Sequence, residues 1–116
     1  MHLTATELLV WGGMLHLIAD WGLQNEWMAI NKVSLRHPAA WVHGGIHASA
    51  LLLVFAPLWA LGLGLLHMAI DTRVPRAWWS TRFRQTTAGE MGVHVALWLD
   101  QVMHLACIGA AALLSR

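Results

Sequence analysis

The chain has 116 residues, 58% of them hydrophobic and only 11% charged, with eight Trp, a formal net charge of +1 and a mean hydropathy of +0.55. Soluble domains carry about 25% charged residues, so this balance excludes an ordinary water-soluble fold and points to one membrane domain spanning residues 1–116. The lone Cys107 excludes an intramolecular disulfide and, in an apolar helix, reads as a small hydrophobe.

Apolar runs cover residues 3–19, 39–56, 58–70 and 91–114. Several approach the roughly 20 residues needed to cross about 30 Å of hydrocarbon. The expected fold is all-α: an integral membrane, antiparallel four-helix bundle with short loops. The first run lacks a positively charged flank and contains Glu7, His16 and Asp20, so it is expected to be a retained helix rather than a cleaved signal. Lys32 and Arg36 follow it. Between the second and third runs only Pro57 interrupts the pattern, and one unbroken helix there would span about 50 Å, so a tight reversal at Pro57 is expected. Between the third and fourth runs, Arg73, Arg76, Arg82 and Arg84 are interleaved with Trp78, Trp79 and Phe83. That mixture marks an interfacial segment at headgroup level and not a nucleic-acid surface. Six of the seven Lys and Arg thus share one side, which the positive-inside rule makes cytoplasmic, with both termini pointing away from the cytoplasm.

Each run carries one polar pair four residues apart: His16 and Asp20, His43 and His47, His67 and Asp71, Asp100 and His104. That spacing puts both side chains on one helix face, about 6 Å apart along the axis. Fourteen His and acidic residues scattered at random give about two such pairs, and the chain has five. The fifth, Glu90 with His94, faces away from Asp100 and is explained by the helix dipole and the interface; His2 and His37 lie in flanking segments and need no function.

Depth agrees with spacing. In antiparallel neighbours, residues equidistant from the turn share a level, and the midpoints of the matched pairs fall at Asn31/Lys32, at Pro57 and at Gln85/Thr86. Two layers follow: Asp20, His43, Asp71 and Asp100 toward the loops, then His16, His47, His67 and His104 one turn deeper. One further turn presents Gly12, Leu51, Leu63 and Ile108, an apolar floor. Ionisable groups at such depth cost several kcal/mol each unless compensated and mark function. Hydrogen-bonded staples or a proton relay would serve a single pair. Four convergent pairs favour metal, and imidazole with carboxylate suits Zn first, then Fe or Mn. Eight ligands exceed the four of a structural zinc site and imply two divalent ions, with three possible by number.

The stretch HLIADWGLQNEWMAINK, followed by HGGIHA, HMAID and DQVMH, resembles a small, functionally uncharacterised membrane protein family of phages and bacteria. The resemblance covers nearly the whole chain, at His16, Asp20, Gln24, Trp27, Ala29, Lys32, His43, His47, His67, Asp71, Asp100, Gln101 and His104. It departs at Asn25 and Glu26, where the series has a hydroxyl residue and Asp. The pattern is also similar to bacterial inner-membrane proteins described as metal-dependent hydrolases and, in ligand style, to helical zinc-dependent phospholipases C. Taken with the composition, this implies an inner-membrane metal-dependent hydrolase acting on a lipid ester or phosphoester near the cytoplasmic leaflet. Asp20 or Asp71 would bridge ions or act as base, Gln24 would orient water or substrate, and Lys32, Arg36 and the loop arginines would hold a lipid phosphate. The rival expectations are a di-iron oxidase, a haem or chlorophyll carrier, and a non-catalytic accessory subunit of a larger membrane complex or homo-oligomer with metal as a staple.

Overall fold

Thr4 and Glu7 start the first helix. The Thr4 hydroxyl accepts the Glu7 amide at 3.2 Å and the Glu7 carboxylate accepts the Thr4 amide at 2.8 Å, so two orphan donors are satisfied reciprocally. Helix α1 runs Ala5–Leu17 and widens into a π turn over Ile18–Gly22. Helix α2, Glu26–Asn31, is capped by Asn25, whose Oδ1 accepts the Met28 amide at 2.9 Å. Helix α3, Pro38–Leu51, is capped by the His37 ring, whose Nδ1 accepts the Ala39 amide at 3.1 Å; Pro38 fills a first-turn position that has no use for an N–H. The chain then reverses over residues 52–56, and Pro57 opens helix α4, Pro57–Asp71. Arg73, in the left-handed region at φ 68°, separates α4 from α5, Val74–Arg82. Helix α6, Gly89–Leu114, closes the fold. The computed structural model describes residues 2–116, and among these there are six helices and no strand.

The four longer helices pack in a ring, α1 against α3 and α6, and α4 against α3 and α6. The α3/α4 contact is the most intimate. A Cβ on Gly64 would stand 2.8 Å from the Ala48 Cβ, and one on Gly44 would meet the Met68 side chain at 2.4 Å, so these glycines let the two backbones close up. The reversal at Pro57 is therefore as the sequence predicts. The segment between the third and fourth apolar runs, expected to lie at a membrane interface, forms the helix α5, none of whose residues is buried.

The expected four crossings are not all present in length. Among the described residues only Gly89–Leu114 is long and apolar enough to span a membrane, and Pro57–Asp71 is a shorter apolar helix. At 14 and 15 residues, α3 and α4 reach about 21 to 23 Å, short of about 30 Å of hydrocarbon. Beside an apolar core, burial nevertheless departs from the usual pattern of a water-soluble fold. Five imidazoles, two carboxylates and Gln101 are buried, while Trp11, Trp41, Leu53, Leu58 and Trp98 are each more than half exposed.

Candidate metal centre

The four helices deliver their paired side chains to one place. His16, His43, His47, His67, His104, Asp20 and Asp71 are all at most 5% exposed, and Asp100 lies at the margin, its side chain 13% exposed. The matched levels meet across the ring: His43 Nε2 lies 3.1 Å from Asp20 Oδ1 and 3.4 Å from Asp71 Oδ2. One turn deeper the His47 and His67 rings stack with centroids 3.5 Å apart, His67 and His104 with centroids 4.1 Å apart, and His16 sits 5.0 Å from His47 and 4.9 Å from His104. Below them Leu8, Leu51, Phe55, Leu63 and Ile108 form a packed apolar cluster, and Gly12 leaves room for Ile108 and Phe55. The gap between imidazoles and floor is about 10 Å³, roughly one water.

Three overlapping groups could each hold an ion. The ligand atoms of Asp20, His43, His47 and His67 lie within 4.8 Å of one another, as do those of His16, His67 and His104, and those of Asp71, Asp100 and His104. His67 belongs to the first two groups and His104 to the last two, and Asp20 and Asp71 each face more than one imidazole. Asp20 Oδ1 faces His43 at 3.1 Å and His47 at 3.3 Å, while its Oδ2 accepts from Gln101; Asp71 Oδ1 faces His104 at 3.2 Å and its Oδ2 faces His67 at 2.9 Å.

Only some of these approaches are hydrogen bonds. His43 Nε2 donates to Asp20 and His104 Nε2 donates to Asp71, but Nε2 of His47, both ring nitrogens of His67 and Asp71 Oδ2 have no hydrogen-bond partner despite lying among polar atoms. Buried polar atoms ordinarily find partners, and leaving one without costs about 1–3 kcal/mol. Close convergence without hydrogen-bond alignment is the arrangement of lone pairs aimed at a shared electrophile, and the donor set of imidazole nitrogen with carboxylate oxygen fits a divalent transition metal.

Three participants lie outside the paired pattern. Gln101, 5% exposed, accepts from His16 Nε2 at 3.0 Å and donates to Asp20 Oδ2 at 3.0 Å and Asp100 Oδ2 at 3.3 Å. It precedes His104 by three residues, so the inward stripe of α6 runs through Gln101, His104 and Ile108 and leaves Asp100 at its edge. The Lys32 ammonium stands 3.4 Å from Asp71 Oδ2 and 3.8 Å from Asp20 Oδ1. The π turn carries Asp20 inward while Trp21 and Leu23 face out. Such turns gather at functional sites because one extra residue re-aims a side chain.

The residues set aside by the sequence stay aside. Glu90, His94 and His2 are exposed, and His37 and Asn25 act as helix caps. Gln24 is half-buried one turn beyond Asp20, its Oε1 without a hydrogen-bond partner. Arg36 is exposed, and among the described residues Lys32 is the only Lys or Arg paired with a carboxylate. Lys32 thus leans into the carboxylates while Arg36 stands exposed.

A family model described as "Protein of unknown function (DUF3307)" matches residues 8–116, and the chain belongs to that family. No curated protein and no solved structure matches it.

Proposed function

We propose that this member of the DUF3307 family is a membrane-embedded four-helix bundle that binds two divalent transition metals, zinc first, and hydrolyses a lipid ester or phosphoester at the leaflet its loops face. Its setting is supported by the many large apolar side chains left exposed and by α5 with the residues after it, where Trp78, Trp79 and Phe83 stand exposed beside Arg82 and Arg84. Embedded helices of 14 and 15 residues are accommodated by local thinning of the bilayer and by flanking residues reaching the interface.

The observation that carries the metal is the set of unpartnered Nε2 and carboxylate atoms converging from four helices. Bound ions would polarise an ester oxygen and acidify water toward neutral pH. The chain's own part is to fix geometry. Asp20 and Asp71 each offer two oxygens to different imidazoles and so can bridge ions or take a proton, and Gln24 Oε1 is free to orient a water at the loop side. The apolar floor excludes water from below. Ring centroids 3.5 to 5.4 Å apart leave no space between the imidazoles for a haem or chlorophyll.

One observation favours a second reading. The hydrogen bonds from His43 to Asp20, His104 to Asp71 and His16 to Gln101 already tie the helices together, as a non-catalytic accessory subunit of a larger membrane complex would need. Elemental analysis of purified protein followed by assay of detergent-solubilised ester and phosphoester lipids separates the two. Two ions per chain with lipid turnover supports the hydrolase, metal without turnover of either class supports the accessory subunit, and protein free of metal at saturating zinc, iron and manganese rejects both metal-based readings.

A further inference from the structure

We propose that Lys32 is a positioning residue for an anionic phosphate group, released from Asp20 and Asp71 when metal loads. This rests on the metal reading above and names the substrate chemistry of the same site. Lys32 ends α2, which Met28 anchors beside α3, and its side chain is only 14% exposed. Its ammonium therefore lies at the loop-side margin of the cluster, over the two most-contacted carboxylates.

Charge decides what that ammonium does. Asp20, Asp71 and Asp100 against one ammonium leave the cluster negative while its imidazoles are neutral, as metal ligation requires. Two divalent ions on those carboxylates make it positive. An ammonium a few ångströms from the same oxygens is then repelled where it was attracted, since like charges at such range in a partly buried site are only weakly screened. It turns outward by rotating its flexible stem. The site now holds metal ions on one side and an ammonium on the other, with an anion required between them. Phosphate, whose several oxygens can face both at once, fits that demand better than a neutral carboxyl ester, and Lys binds phosphate as a point charge. The floor of Leu51, Leu63 and Ile108 offers no charge at the opposite end, so the anion seat is on the loop side alone.

The test uses full-length protein in detergent, with metal content and anion binding measured separately. Zinc-loaded wild-type protein should bind inorganic phosphate, and metal-free protein should not. Lys32→Met should keep the zinc stoichiometry and weaken phosphate by at least about tenfold, while Lys32→Arg should keep it within about threefold. Lys32→Met that loses zinc, or that binds phosphate as wild type does, overturns the proposal. On wild-type protein, zinc should raise acetylation of Lys32 by acetic anhydride and added phosphate should lower it again; labelling indifferent to both overturns it without any variant. A short-chain phosphatidate in the second arm binding tighter than inorganic phosphate identifies a lipid headgroup as the source of the anion, and the reverse order identifies the free ion; either order supports the seat. Absence of zinc binding by wild-type protein is the distinct failure of the metal reading itself.

Discussion

The two halves of the helix ring use the same helix faces for opposite purposes. On the loop side those faces present His43, Asp20, Asp71 and the imidazoles beneath them; one turn further they present Leu51, Leu63 and Ile108, which pack with Phe55 from the turn between α3 and α4. The apolar half closes by shape, with Gly12 accepting Ile108 and Phe55 where any Cβ would be 2.8 Å from Ile108. The polar half is pulled in by the same helices and leaves ring nitrogens without partners. A well-packed end thus holds open an end that packing alone would not choose.

That division can be broken from either side. The largest effect is expected from the polar half: His47→Ala or Asp71→Ala should each weaken zinc by more than about a hundredfold, beyond the range of outer-partner changes, and the double variant should lose far less than the product of the two. Equilibrium zinc titration of the four proteins reads this, and additive losses would deny a shared cluster. In the apolar half, Phe55→Ala should cost about 3 kcal/mol by denaturant titration while leaving metal stoichiometry intact. Gly64→Leu drives a side chain into Ala48 and should cost about 2 kcal/mol by the same method. Gln101→Leu removes the link from His16 to Asp20 and should weaken zinc by about tenfold with little loss of stability. Trp98→Ala, on the exposed face of α6, should change stability by less than about 0.5 kcal/mol, and a larger shift would mean that this face is covered by a partner.

Much of the site was legible because its signal is discrete. His and Asp are sparse in apolar helices, so four pairs at one spacing stand out, and matched distances from Pro57 place His47 opposite His67 with no knowledge of packing. What escaped lies where periodicity gives no anchor. The π turn is one residue of extra winding, settled by where Asp20 must point rather than by local propensity. Gln101 belongs to the resembled series, but it is uncharged and adjacent to the more conspicuous Asp100, and its link from His16 to Asp20 shows only in the packed structure. Lys32 was visible as a loop cation, but whether a flexible side chain points to solvent or to carboxylates is a tertiary choice. Helix lengths were overestimated for α3 because residues 52–56 are apolar yet form the turn.

The gap under the imidazoles has room for roughly one water and is lined, beyond the rings, by Leu51, Leu63, Ile70, Cys107 and Ile108. With only apolar side chains on the floor beneath it, a hydrated ion or a proton finds no polar path onward past Leu51, Leu63 and Ile108. Vesicles carrying the protein should therefore hold a zinc or proton gradient as tightly as empty ones.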